Sequence, residues 1–226
     1  MRLFELIDAS LSPGEQRPLD QTEKKLKDFI EAHCSEILAI YRATNGKCLY
    51  RGVTPNLGPV PESAEELEEV APAAFMGHPR LDRRPLHTAA HLQAAIDKTL
   101  TAAGFTALRC NSIFCCGGKA AGEFGKVYAI FPLDGFDYTW CESAEDLTND
   151  FGLNTILSTG GGRHYTFRED LKTMQPNEFV EKYGFFCNKA LDRAIRWGNE
   201  VYITGDYVAL GQGRYYRLIT ELTWDK

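Results

Sequence analysis

The spacing of apolar residues predicts that the chain begins with helices. Between Asp20 and about Ala43, apolar positions recur every three or four residues, which is the period of an amphipathic helix or of a helix pair. The triplet Thr44-Asn45-Gly46 follows as a stop signal. A second stretch with this period runs from Thr88 to Ala103, so we expect a further helix that packs on a sheet.

Two stretches in the middle of the chain have the patterns of strands. Thr106–Phe114 alternates loosely between apolar and polar residues, whereas Val127–Phe131 is continuously apolar and is followed by Pro132. Gly117 and Gly118 lie between the two stretches and predict a hinge. A reactive site would be expected at such a hinge.

The remaining elements predict an α+β fold, with an N-terminal helix followed by short strands and flanking helices. No long helix is predicted after the glycine run Thr159–His164. The other predicted elements are short strands at Cys48–Gly52 and Gly135–Trp140, helices at Pro176–Phe186 and Asn188–Trp197, a strand pair over Asn199–Leu210 that breaks at Gly205, and a hairpin over Tyr215–Trp224.

Composition and charge exclude several classes of protein. With 226 residues, of which 44% are hydrophobic, the chain can form a sizeable core, and we expect one compact unit made of a helical segment (1–46) and a main domain (47–226). A net charge of −6 argues against broad nucleic-acid binding. The sequence lacks both a membrane-length apolar run and a signal-peptide pattern at its start, so a cytoplasmic protein without membrane contacts is expected.

The seven cysteines form an odd set without a Cys-x-x-Cys pair. Cys115 and Cys116 are adjacent and would point to opposite faces of a strand, which is unsuitable for holding zinc. We therefore expect buried free thiols and no metal.

Polar residues at the ends of predicted strands are the candidates for chemistry: Arg51, Ser112 and Glu200. Arg51 either lies on an edge strand in water or needs a partner within the sheet. The stretch Gly77–Pro85 contains three arginines, Arg84 among them, around one aspartate. It is either a solvated turn with Arg–Asp pairs or a phosphate-binding clamp.

The segments around these three residues resemble a known signature. Leu49–Gly52, Asn111–Phe114 and Glu200–Ile203 resemble, in this order, the Arg, Ser and Glu motifs of the ADP-ribosyltransferase superfamily, in the branch related to bacterial binary toxins. The resemblance covers roughly residues 48–210. It implies a split β-sheet core and NAD as substrate. The stretch from Arg80 to Trp140 also resembles uncharacterised proteins of large tailed phages, which implies a phage source and no particular activity. Together, the two resemblances imply a transferase that modifies a host protein or nucleic acid in the host cytoplasm.

The resemblance implies a role for each residue of the signature. Glu200 would bond a ribose hydroxyl and stabilise the oxocarbenium-like state that forms when the nicotinamide–ribose bond breaks. Arg51 would hold the phosphates or the ribose, and Gly52 would let the nicotinamide carboxamide approach the backbone. Ser112 would position Glu200 or the ribose.

Further cofactor contacts implied by the resemblance are Phe124 or Phe114, stacked on nicotinamide, and Arg84, bound to phosphate. Core packing is the alternative for Phe114. Family members that modify arginine carry a second glutamate two residues before the catalytic one, where this chain has Gly198. The acceptor is therefore another side chain, a nucleic-acid group or water.

Two classes of function follow. The first is an NAD-dependent mono-ADP-ribosyltransferase, a glycosyltransferase with NAD glycohydrolysis as a side activity. The second is a non-catalytic module of the same fold that binds a nucleotide or a partner as a phage accessory or virion protein. A serine hydrolase is disfavoured, because Ser112 lacks the Gly-x-Ser-x-Gly context.

Overall fold

The computed structural model describes residues 16–18, 23–53, 72–81, 89–117, 125–145, 150 and 162–224. The α+β class predicted from the sequence is confirmed. In chain order the elements are β1 (Gln16–Pro18), α1 (Glu23–His33), α2 (Ser35–Ala43), β2 (Tyr50–Val53), β3 (Ala74–Gly77), α3 (Ala90–Ala102), β4 (Ile113–Cys116), β5 (Lys126–Pro132), β6 (Tyr138–Cys141), α4 (Gly162–Thr173), α5 (Pro176–Tyr183), β7 (Phe185–Cys187), α6 (Leu191–Trp197), β8 (Glu200–Ile203), β9 (Tyr207–Gly211) and α7 (Gln212–Thr223).

The nine strands of the described residues form one antiparallel sheet in the order β1-β3-β9-β5-β2-β4-β8-β6-β7. Most neighbouring strands share three to five paired residues. Strands β2 and β4 share only one pair, Tyr50 with Cys116. We call this junction the seam, and it divides the sheet into a β1-β3-β9-β5-β2 half and a β4-β8-β6-β7 half.

The sheet is bent, because a short connection joins strands that are distant in the strand order. Strands β8 and β9 lie four strand spacings apart, which is about 19 Å in a flat sheet. The chain between Ile203 and Tyr207 spans at most about 14 Å when extended. This connection is tied to the one between β5 and β6, since Leu133 N donates to Asp206 O and Thr204 N donates to Asp137 O (both 2.9 Å).

Two hydrophobic clusters cover the two faces of β4 and β8. The first core joins α1, α2, α6 and α7 to both halves of the sheet, and the second core joins α3, α4 and α5 to β6, β7 and β8. Members of the first core include Ile30, Ile37, Tyr41, Cys115, Trp140, Ile195, Val201 and Leu222. Members of the second core include Leu92, Leu100, Phe167, Phe179, Tyr183 and Tyr202.

The predicted N-terminal helix pair is confirmed, with its break at Cys34. Helix α2 begins with a cap supplied from the connection after β5: Asp134 accepts hydrogen bonds from Ser35 Oγ and from Glu36 N, both at 2.8 Å. Partial burial acts to raise the pKa of Asp134. These hydrogen bonds outweigh that effect and hold the pKa below its ordinary value.

Helix α2 also contributes a hydroxyl to the sheet. Ile130 N donates to Leu49 O at 3.0 Å, as in a normal ladder. In place of the reciprocal bond, Leu49 N donates to Tyr41 Oη at 3.2 Å, and Tyr41 Oη donates to Ile130 O. The side chain of Tyr41 is fully buried, and its hydroxyl thus occupies a ladder position between β2 and β5.

Several predicted elements are confirmed. Helix α3 matches Thr88–Ala103, and β5 contains the buried run Val127–Phe131. The predicted strand pair over Asn199–Leu210 is present as β8 and β9, and its break lies at Gly205, where φ is +80°. Residues with a side chain rarely adopt this backbone conformation, so glycine is required at the break.

The strand predicted over Thr106–Phe114 is wrong in its first part. Asn111 folds this segment into a turn, because its side chain accepts from Leu108 N (2.8 Å) and donates to Thr106 O (3.0 Å). Strand β4 therefore begins only at Ile113.

The hairpin predicted over Tyr215–Trp224 is also wrong, since this segment is helix α7. Its aromatic and β-branched residues are typical of strands. The buried positions Tyr215, Leu218, Ile219 and Leu222 nevertheless have helical spacing.

Other differences arise at glycines and turns. The helix predicted over Pro176–Phe186 ends at Gly184, where φ is +67°, and β7 follows. The helix predicted over Asn188–Trp197 begins only at Leu191. Strand β3 and helix α4 were not predicted, and α4 overlaps the glycine run Thr159–His164.

All seven cysteines are free thiols, and four of them are buried. Burial is the main cause that raises the pKa of Cys34 and of Cys48 to about 12. Among the helices of the described residues, none combines the length and apolar character needed to cross a bilayer.

Candidate functional site

Two of the predicted site residues lie on the strands that flank β4, Arg51 on β2 and Glu200 on β8. Tyr50 of β2 pairs with Cys116 of β4, which in turn pairs with Glu200 of β8. These three residues form one row across the sheet, so the Cα atoms of Tyr50 and Glu200 are about 10 Å apart at ordinary strand spacing. Arg51 follows Tyr50 directly, so Arg51 and Glu200 lie on the strands to either side of β4.

Glu200 lies on the side of the second core. Cys115 and Val201 belong to the first core. Successive side chains of a strand point to opposite faces, so Cys116 and Glu200 lie on the other face, together with Phe114 and Tyr202 of the second core.

Arg51 spans the seam. Strand β2 is internal, paired with β5 and β4, so the interpretation of an edge strand with Arg51 in water is wrong. The half-buried guanidinium donates from Nη1 to Phe114 O at 3.2 Å. An arginine within the sheet thus has a main-chain partner where the ladder between β2 and β4 is interrupted.

Glu200 begins β8, and its backbone is held by the segment after β6. Helix α6 ends at Gly198, where φ is +82°, and this left-handed residue turns the chain into the strand. The buried side chain of Asn199 donates from Nδ2 to Cys141 O (2.9 Å) and to Ala144 O (2.8 Å). Glu200 N donates to Glu145 O at 2.8 Å.

The Glu200 carboxylate receives a hydrogen bond from its own strand. Tyr202 Oη donates to Glu200 Oε2 at 3.2 Å. Burial is the main cause that raises the pKa of Tyr202 well above its ordinary value, and the negative charge of Glu200 adds to the effect while Arg109 opposes it. The phenol therefore remains a protonated donor at neutral pH.

Phe114 contacts three of the groups around the seam, Arg51, Arg109 and Tyr202. Its carbonyl accepts the hydrogen bond from Arg51. Its ring lies 5.1 Å from the Tyr202 ring and 5.0 Å from the guanidinium carbon of Arg109. Two arginines thus contact Phe114, which is partly buried and packs against the second core.

Ser112 is placed differently from Arg51 and Glu200. It is fully buried just before β4, and its hydroxyl donates to Asn111 Oδ1 at 3.2 Å. Cys116, four residues further along the chain, is the partner of Glu200. Ser112 is therefore about 13 Å from the row of Glu200 along the ladder, and the structure does not bring the two residues together.

The other predicted cofactor contacts are divided between described and undescribed parts of the chain. Gly52 lies on β2, opposite Val127, one residue beyond Arg51. Phe124 and Arg84 lie outside the described residues. Gly117, from the predicted glycine hinge, approaches α6 so closely that a Cβ atom would lie 2.1 Å from Ile195 O, and this packing requires glycine.

Sequence reasoning missed Tyr202 and Arg109. Tyr202 could have been found, because it lies two residues after Glu200 on a predicted strand and must share its face. Arg109 had no such signal, since it lies in the turn formed by Asn111, within a stretch that alternation assigned to a strand.

The arrangement combines cationic groups that can bind phosphate with a carboxylate that can bind a hydroxyl or stabilise a cation. Comparison of this chain with protein-family models, with curated proteins and with solved structures found no match.

Proposed function

We propose that this chain is an NAD-dependent mono-ADP-ribosyltransferase, encoded by a phage, that modifies a host protein or nucleic acid in the host cytoplasm and hydrolyses NAD as a side activity. The observation that carries the proposal is that Arg51, through its hydrogen bond to Phe114 O, and Glu200, the ladder partner of Cys116, both contact strand β4 beside the seam. The two residues come from distant parts of the sequence, and the resemblance expects them to line one cleft.

The residue types suit a dinucleotide that has a pyrophosphate and a ribose. Arg51 and Arg109 are cations near Phe114, and a guanidinium binds phosphate oxygens through paired hydrogen bonds. Glu200 supplies the carboxylate for the ribose. Gly52, beside Arg51, allows the close approach of an amide to the backbone.

The reaction needs an environment that stabilises positive charge on the ribose. The bond from ribose C1′ to the nicotinamide nitrogen breaks, and its electron pair leaves with nicotinamide. A lone pair of the acceptor then forms the new bond to C1′, and the acceptor loses a proton; water is the acceptor in hydrolysis. The Glu200 carboxylate would stabilise the charge that develops between these events.

The bent sheet supports the finer proposal of a split ADP-ribosyltransferase core. A single residue pair joins the two halves, and each half has its own ladders. The second glutamate of arginine-modifying members is missing for a physical reason, because Gly198 has a left-handed conformation that ends α6. The proposed acceptor is therefore not an arginine side chain.

A second candidate is a module that binds NAD or a related nucleotide without cleaving it, as a phage accessory or virion protein. The burial of Ser112, and its distance from the row of Glu200, favour this candidate. In the transferase, Glu200 would need another partner than Ser112, and Tyr202 occupies that position.

Nicotinamide release from NAD tests the proposal. The purified protein is incubated with NAD, with and without a host lysate, beside Glu200→Gln and a matched control, Glu178→Gln, which changes the same group on the exposed face of α5. We expect release by the wild type and by Glu178→Gln, and at least a 100-fold loss in Glu200→Gln.

Calorimetric titration with NAD separates the two candidates. Binding without release would refute the transferase and support the binding module. Neither binding nor release would refute both. Release that depends on the lysate would show that an acceptor is needed, whereas release without lysate would indicate hydrolysis.

A further inference from the structure

Tyr202 is a buried group that contacts the Glu200 carboxylate from within the protein. Both residues lie on β8, two positions apart, and so share one face of the strand. Tyr202 Oη donates to Glu200 Oε2 at 3.2 Å. We propose that Tyr202 is a positioning residue, which fixes the orientation of the Glu200 carboxylate for the reaction. This inference rests on the proposed function.

The ring of Tyr202 is itself held in place. Its exposed fraction is 2%, and it belongs to the second core. The Phe114 ring packs against it at a centroid distance of 5.1 Å, and Thr139 of β6 is its partner on the adjacent strand. A buried ring fixed on two sides loses little further freedom when its hydroxyl holds a carboxylate, so the carboxylate is oriented before any ligand binds.

The hydroxyl also remains in the protonation state that the role requires. Burial and the charge of Glu200 keep the phenol protonated far above neutral pH. Tyr202 therefore donates to the carboxylate throughout the pH range in which an enzyme would work, and it does not act as a proton acceptor.

The backbone contacts of Glu200 complete the arrangement. Asn199 ties the start of β8 to Cys141 and Ala144, and Glu200 N is bound to Glu145 O. The main chain of Glu200 is thus fixed independently of Tyr202. A change of Tyr202 should affect the carboxylate orientation and leave the strand in place.

Tyr202→Phe removes the hydroxyl and keeps the ring that packs on Phe114. We expect kcat for nicotinamide release to fall about 10- to 100-fold, as is found when a hydrogen bond that orients a metal-ligating side chain is removed. KM for NAD should change less than about twofold, because Tyr202 is buried beneath the site and contacts Glu200 rather than the ligand. Tyr216→Phe is the matched control, since Tyr216 is 66% exposed.

Each outcome decides between the inference and the proposed function. If Glu200→Gln is inactive and Tyr202→Phe keeps the wild-type kcat, the positioning role is refuted and the transferase remains. If kcat and KM change together, with loss of the folded thermal transition, the variant is misfolded, and Tyr202→His, which keeps a ring donor, is measured in its place. A folded Tyr202→His whose kcat lies between those of the wild type and of Glu200→Gln would support the role, and a folded Tyr202→His as inactive as Glu200→Gln would refute it.

Crystal structures of the wild type and of Tyr202→Phe supply a readout that needs no activity. The inference expects one conformer of the Glu200 carboxylate in the wild type and a displaced or multiple conformer in the variant. An unchanged carboxylate in Tyr202→Phe would overturn the inference even if the wild type releases no nicotinamide. Absence of release by the wild type would refute only the proposed function.

Discussion

The hydroxyl of Tyr41 should be essential for stability although it lies far from the surface. It accepts a hydrogen bond from Leu49 N and donates one to Ile130 O, in a fully buried environment. Tyr41→Phe would leave the Leu49 amide without this partner. A buried amide without a hydrogen bond costs about 1–3 kcal/mol, and the lost bond to the carbonyl adds about 0.5–1.5 kcal/mol.

We therefore expect Tyr41→Phe to lower the free energy of unfolding by about 2–4 kcal/mol. For a chain of this length, the midpoint of thermal unfolding should fall by about 4–16 °C. Urea unfolding followed by circular dichroism measures the change, and the slope m should stay constant because the exposed surface on unfolding is the same. Tyr216→Phe, at an exposed tyrosine, should change stability by less than about 0.5 kcal/mol.

A closer approach of β2 and β5 is the alternative to a loss of stability in Tyr41→Phe. In Tyr41→Phe, β2 and β5 could approach until Leu49 N bonds directly to Ile130 O, which would complete the ladder. A loss of stability below about 0.5 kcal/mol would show that the strands close in this way. It would refute the argument that the hydroxyl is a required part of the sheet.

Three further outcomes are expected. Gly198→Ala should lower the free energy of unfolding by about 1–2 kcal/mol because φ at this residue is +82°, and not because of a clash, since no atom lies within 4 Å of the added Cβ. Gly198→Asn should lower it less, and equal losses in the two variants would show that the backbone conformation is not the cause. Because the pKa of Asp134 is lower in the folded state, its carboxylate stabilises the fold above the unfolded-state pKa of about 3.9. This stabilisation is lost as the pH falls through the lower folded-state pKa. The free energy of unfolding of Asp134→Asn, measured against pH in acid, should therefore lack this part of the pH dependence. The Arg193 guanidinium lies 4.8–5.3 Å from three aromatic rings, and thermal unfolding should show a loss of about 1–2 kcal/mol in Arg193→Ala and a smaller one in Arg193→Lys.

Local patterns predicted the elements in which one face is buried continuously. Helices α1, α2 and α3 and strand β5 have such faces, and the stop at Thr44–Gly46 bounded α2 correctly, whereas the position of the break between α1 and α2 was not predicted. Helix α7 was assigned to strands because its residue types have strand propensity, whereas its buried positions follow the helical period. Packing against the first core outweighed the local preference in this segment.

The site depends on contacts that no local pattern contains. Arg51 and Glu200 are neighbours only because β4 lies between β2 and β8, and strand order is a non-local property. The resemblance named both residues without giving their separation. Tyr202 was accessible to simple alternation along β8, while the burial of Ser112 required the turn made by Asn111.

The seam has a mechanical consequence. A ladder of four or five pairs resists the separation of two strands, but β2 and β4 have only one pair to break. Two connections between the halves, those after β5 and after β8, lie at the Ile203 end of β8, whereas the single pair of the seam lies near Arg51 and at the Glu200 end of β8. Opening of the seam would therefore act first on the Arg51 hydrogen bond to Phe114 O, which crosses it.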